Sequence, residues 1–247
     1  MKKTLVLLLF LAMAASPLFA AEAFDNFKTV ISAGGTAAQA SLDNFTKDLG
    51  ALLGGGTYHN GKSLGFPGFD IGIHVPMKKI SDDNNIVKSA DVDSVALPIV
   101  QVEIGLPANI DIIGRYSSIL NSTLLGYGLR YGIFKPSIPG LPSVSVQGVM
   151  TNLDAAAGSN KFKASNTSVS AVLSFNHLPV ITPYLGVGYD TTSVTPDSSI
   201  STMTGSASGT RVEAGLNLSI IPMTYIQLGA ASAGGDINGT FGLGIEF

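Results

Sequence analysis

Chemistry in this chain would have to start from three histidines, His59, His74 and His177, because there is no cysteine. His74 stands four residues after Asp70. On a strand the two side chains fall on one face, where a hydrogen bond or ion pair ties them. A hydrolase needs a nucleophile with a base in hydrogen-bond reach, and no histidine falls in a stretch that reads as an outer loop. His59 precedes the first strand and His177 sits in a short turn. No His or Cys cluster has metal-ligand spacing, and the Gly-rich stretches lack the Lys-Ser/Thr of a phosphate loop. No catalytic residue, metal, cofactor or enzymatic activity is therefore expected.

A second set of charged residues stands among small ones. Glu103, Asp111, Arg115, Arg130, Arg211 and Glu213 occupy the face opposite an apolar stripe, as do Asp70, His74, Asp190 and Glu246. Charges at membrane depth persist only when paired or wetted. Salt bridging across a lumen is the plain expectation. A polar constriction built by Arg115, Arg130 and Arg211 against Glu103, Asp111 and Glu213, selecting solutes, is the sharper one. The same faces carry Gly72, Gly105, Gly126, Gly186, Gly242 and Gly244. Such glycines either leave the lumen open or permit curvature and accept aromatic rings, and the two readings are compatible.

The elements that position these residues are strands. Alternation of period two runs through 69–75, 97–106, 110–118, 125–133, 143–151, 167–175, 182–190, 211–220, 224–231 and 237–247. After residue 20 no apolar stretch approaches the roughly 20 residues that a membrane helix needs. A membrane crossing made of strands must close, since only a closed barrel leaves no backbone group unpaired in lipid. Links after even strands are compact and contain Pro, whereas 77–96, 152–166 and 191–210 are long and polar, as expected of external loops. A soluble barrel or sandwich would turn the apolar face inward, but only 13% of residues are charged, too few for an ordinary soluble surface. The expected fold is all-β, a transmembrane antiparallel up-and-down β-barrel of about 10 strands over residues 66–247, with a short N-terminal amphipathic helix.

Residues 1–20 read as a signal peptide: Lys2 and Lys3, an apolar run from Thr4 to Ala15, then small residues. Cleavage after Ala20 and after Ala23 fit equally. Without cysteine there is no acylated lipoprotein anchor, so the expected export is to the periplasm and beyond. Formal charge is −3, and −5 once Lys2 and Lys3 leave, or −4 if Glu22 leaves too. Nothing in that balance invites nucleic acid, and no nucleic-acid partner is expected. Within 21–65, Leu42, Phe45, Leu49 and Leu53 recur at helical spacing up to Gly54-Gly55-Gly56. This segment is a candidate plug, which could fill the lumen, lie under the periplasmic mouth or rest on the membrane. Asp82, Asp83, Asp91 and Asp93 form a solvated acidic loop that lacks calcium-loop spacing.

Three features together resemble the small porin-like and outer-membrane beta-barrel families of Gram-negative bacteria: the leader, a helix ending in glycines before Gly68-Phe69-Asp70, and a last strand ending on Phe247. The stretch from Thr182 to Tyr189 is similar to a strand common in them. The resemblance implies that Phe241, Leu243, Ile245 and Phe247 form the pattern read by the barrel-assembly machinery. It also implies the outer membrane of a Gram-negative bacterium as the address, with its lipid and lipopolysaccharide as surroundings. Two functions are expected: limited passive passage of a small solute through a Gly/Ser-lined lumen gated by the N-terminal helix, or a sealed structural or surface-interaction barrel presenting 77–96, 152–166 and 191–210.

Overall fold

Alternating residues build the wall. The computed structural model describes residues 21–247 except 120, 137, 139, 158, 159, 177–179 and 234, so the leader and His177 lie outside the described residues. The strands are β1 (Phe69–Lys79), β2 (Ser94–Ala96), β3 (Ile99–Leu106), β4 (Ile110–Ile119), β5 (Ser122–Phe134) and β6 (Ser143–Ala157). They continue as β7 (Asn160–Ser174), β8 (Ile181–Pro196), β9 (Gly205–Leu218), β10 (Thr224–Ala233) and β11 (Asp236–Glu246). Each pairs antiparallel with its neighbour, and β1 pairs with β11 from Asp70↔Glu246 to Lys78↔Asn238. The result is a closed barrel of 10 strands, because β2 and β3 pair in succession with β1 as one interrupted strand. No sheet edge is left open. At the closing end, Phe69 and Phe247 exchange backbone hydrogen bonds of 2.9 Å and stack their rings.

Two expected external loops are mostly strand. β6 and β7 take up almost all of 152–166, and β8 and β9 run into 191–210 from both sides, leaving residues 197–204 between them. The reason is a reversal of pattern. Near the closing end Met150, Val169, Leu185 and Val187 face outward and Gln147, Ser168 and Ser170 inward. Farther along, Asn152, Asp154, Lys163 and Ser165 face outward while Leu153, Ala155, Phe162, Ala164 and Val194 are buried inside. Polar residues and threonines in a strand look like loop when only an apolar outer face is sought. The loop 77–96 holds the end of β1, a short helix α3 (Asn85–Lys88) and β2.

Two helices precede the wall, α1 (Ala21–Ser32) and α2 (Gly35–Gly54). The break falls at Gly34 and at Gly35, the first residue of α2, with φ 68° and 79°, a left-handed backbone that glycine takes without steric cost. α2 starts earlier than the apolar spacing from Leu42 predicts, because Ala37, Ala38 and Ala40 extend it by intrinsic preference. It packs against β8 and β9 inside the barrel. At the loop end Phe27, Leu42, Phe45, Leu49 and Leu53 join Leu124, Leu153, Phe162 and Val194 in one core. The rings of Phe27, Phe45 and Phe162 meet at 5.1–5.4 Å between centroids. Asp48 fastens the helix to the first loop through Ser81, Asn84 and Lys78.

Candidate functional site

The polar site is the closing half of the lumen, where residues 55–65 descend without regular secondary structure to the start of β1. A buried strap of this kind needs a partner for each backbone group, and wall side chains supply many. Arg115 donates to the carbonyls of Leu53 (2.7 Å) and Gly55 (2.8 Å). Gln101 and Gln147 both donate to the Thr57 carbonyl, Gln227 to that of Tyr58 and Asn217 to that of His59. Ser174 accepts from the Gly61 amide and Asp111 from the Leu64 amide. Wall glycines make room for the strap: a Cβ at Gly186 would strike the Tyr58 ring, and one at Gly105 would strike the Gly65 backbone.

The six lumen candidates divide into three arrangements. Arg130 grips Glu103 with two hydrogen bonds of 2.7 and 3.0 Å, and its nearest Asp111 oxygen is 3.9 Å away. Arg211 bonds to Asp190 at 2.9 Å and Glu213 at 3.1 Å, with its guanidinium carbon 5.4 Å from the centroid of the Tyr58 ring. Arg115 has no carboxylate in ion-pair range among the described residues. Its charge instead meets the carbonyl-rich C-terminus of α2, the negative end of the helix dipole. All six side chains are buried and surround the strap. Gln101, Gln147, Tyr184, Tyr225 and Gln227 are not legible as site residues in the sequence, because inward amides and phenols carry no charge signal.

Asp70 and His74 do not bond to each other; Tyr225 joins them, its hydroxyl 3.2 Å from Asp70 Oδ1 and 3.2 Å from His74 Nε2. His59 comes from the strap. Its Nε2 lies 3.7 Å from Asp70 Oδ2 and 3.4 Å from Glu246 Oε2, and its ring stacks on Tyr225 at 4.2 Å between centroids. Donor atoms of His59, Asp70 and His74 all lie within 4.8 Å of one another, a set able to hold a metal ion. Spacing could not reveal this, since the strap's return places His59 against β1. On the outer face Phe241, Leu243, Ile245 and Phe247 stay at least partly exposed. In the first loop Asp82 and Asp93 both approach Lys88, at 3.6 and 2.6 Å.

At the loop end a cleft of about 360 Å³ runs beside α2, lined by Asp43, Lys47, Gly50, Lys78, Asp190 and Thr192 among others.

Residues 83–247 match the family of unknown function DUF6588. The chain belongs to that family. The match begins beyond the strap and β1, so His59, Asp70 and His74 of this DUF6588 member precede the matched region. No curated protein matches it. Solved structures similar to it include the N-terminal β-barrel domain of Pseudomonas aeruginosa OprF, at 14% identity and TM-score 0.38 over 76% of this chain and 99% of that one. Another is Ail, the attachment invasion locus protein of Yersinia pestis, at 14% and 0.34 over 73% and 99%. A third is Neisserial surface protein A, at 14% and 0.32 over 72% and 94%.

Proposed function

We propose that the chain is an outer-membrane β-barrel held closed by its own N-terminal segment, with the loop end presented outward and the short turns in the periplasm. The membrane reading is supported by the outer face. It is apolar from Phe134, Phe175 and Phe247 at the closing end up to Tyr189, then turns polar at Asn152, Thr167 and Thr191, as a wall leaving lipid for water must. The observation that carries the closed reading is the strap, whose carbonyls and amides are bonded by side chains from strands around the wall. To conduct through the lumen the barrel would have to break these bonds together. The protein then serves as a sealed surface barrel whose long strands and loops meet lipopolysaccharide, matrix or another cell.

A second reading, limited passage of a small solute with α2 as a gate, is favoured by the cleft beside α2. Planar-bilayer recording of the refolded chain decides between the two. No conductance above background is expected from the sealed barrel, and steady single-channel openings by the full chain would overturn it in favour of the gated pore.

A further inference from the structure

We propose that His59, Asp70 and His74 bind a divalent transition metal of the zinc class, which staples the lumen strap to β1. Two imidazoles and one carboxylate form a donor set that suits such ions. All three residues are fully buried, and Asp70 Oδ2 has no hydrogen-bond partner. That oxygen is 3.7 Å from His59 Nε2. Donors on a tetrahedral ion with bonds near 2.0–2.1 Å stand roughly 3.3 Å apart, so small side-chain shifts would bring this pair onto one ion.

The surroundings orient His74, whereas His59 Nδ1 is buried without a hydrogen-bond partner among the described residues. Gln227 donates through its amide nitrogen to the Tyr58 carbonyl (3.0 Å) and to the Tyr184 hydroxyl (2.8 Å), which leaves its carbonyl oxygen 2.8 Å from His74 Nδ1. His74 therefore carries its proton on Nδ1, and with the single Tyr225 hydroxyl proton given to Asp70 Oδ1 its Nε2 lone pair is free for an ion. A metal-binding histidine is ordinarily held this way, its second nitrogen donating to a carbonyl or carboxylate. Gly242 packs against this contact: a Cβ there would lie 2.7 Å from Gln227 Oε1 and 3.2 Å from His74 Nδ1. Glu246, 3.4 Å from His59 Nε2, adds a second carboxylate to offset the charge of the ion.

The alternative is a protonated His59 bridging Asp70 and Glu246 with no metal, and the test separates the two. The refolded full chain is stripped with chelator and titrated with Co²⁺, whose visible absorption reports its ligand geometry. One Co²⁺ per chain, displaced by Zn²⁺, is expected. Asp70→Asn and His74→Gln should weaken binding about 100-fold or more, and Gln227→Ala by about 10–100-fold through loss of orientation. Asp93→Asn, in the first loop, should leave binding unchanged. A wild-type chain that binds no Co²⁺, or variants that bind it as tightly as wild type, would overturn the proposal. Heat-modifiable gel migration shows whether each variant folds. Should none fold, X-ray absorption of the zinc-loaded wild type decides: two imidazole ligands are required, and a spectrum without histidine scattering rejects the site.

Discussion

The loop-end half of the lumen and the closing half hold the same N-terminal segment by different means. Near the loops α2 meets the wall through Leu42, Phe45 and Leu49 against Phe162 and Val194. Near the closing end the strap meets it through Arg115, Gln101, Gln147, Gln227 and Asp111. A helix satisfies its own backbone and can offer a carbon surface, so the wall facing it is apolar. An irregular strap leaves its backbone unsatisfied, so the wall facing it must donate and accept. Conformation of the inner segment, more than depth in the barrel, accounts for which residues point inward.

Substitutions in the two halves should differ in kind. The largest effect is expected for Glu103→Ala, which strands the Arg130 guanidinium inside the barrel and should cost about 3–5 kcal/mol in denaturant unfolding from vesicles. Replacing Glu103 and Arg130 together by methionine should be close to neutral by the same measurement. In the apolar half Leu42→Ala should cost about 2–5 kcal/mol through the cavity it leaves, and Leu42→Met less than about 1.5 kcal/mol. If Leu42→Met proves as costly as Glu103→Ala, the distinction between the halves fails.

Gly186→Ala tests the fit of the strap, since the new methyl meets the Tyr58 ring. A loss of about 1–3 kcal/mol is expected from overpacking, and Tyr58→Ala in the same chain should relieve part of it. The smallest effect lies outside the lumen. The hydrogen bond from Lys88, with its charge, holds the Asp93 carboxyl below its ordinary value. Its stabilising contribution is present above the unfolded-state pKa and is lost as pH falls through the depressed one. NMR titration of Lys88→Ala should return Asp93 to the usual carboxylate range, and salt should shrink the difference.

Much of the wall was visible in the sequence, because a strand in lipid writes its period into residues such as Leu125, Tyr127, Leu129 and Tyr131. Their exposed outer positions follow from alternation alone. The upper parts of β6 to β9 were hidden because their polarity reverses there, and a reader searching for an apolar outer stripe stops at Tyr189. Inward charges such as Arg130 and Glu103 are legible as lumen residues, since alternation sets them opposite the apolar stripe. Their partners depend on how neighbouring strands align, which period does not encode. His59 was hidden most fully, because its position depends on a strap whose course is set by hydrogen bonds to six or more strands.

The path of the N-terminal segment constrains the order of assembly. Residues 35–54 sit at the loop end, yet the chain leaves the lumen beside Phe69 at the opposite end, so the segment runs through the ring that β1 and β11 close. A finished ring could accept it only by pulling a folded helix through a channel already filled with side chains. Closure of the seam between Asp70 and Glu246 around a strap already in place avoids that passage. The N-terminal segment then serves as a core around which the wall is completed.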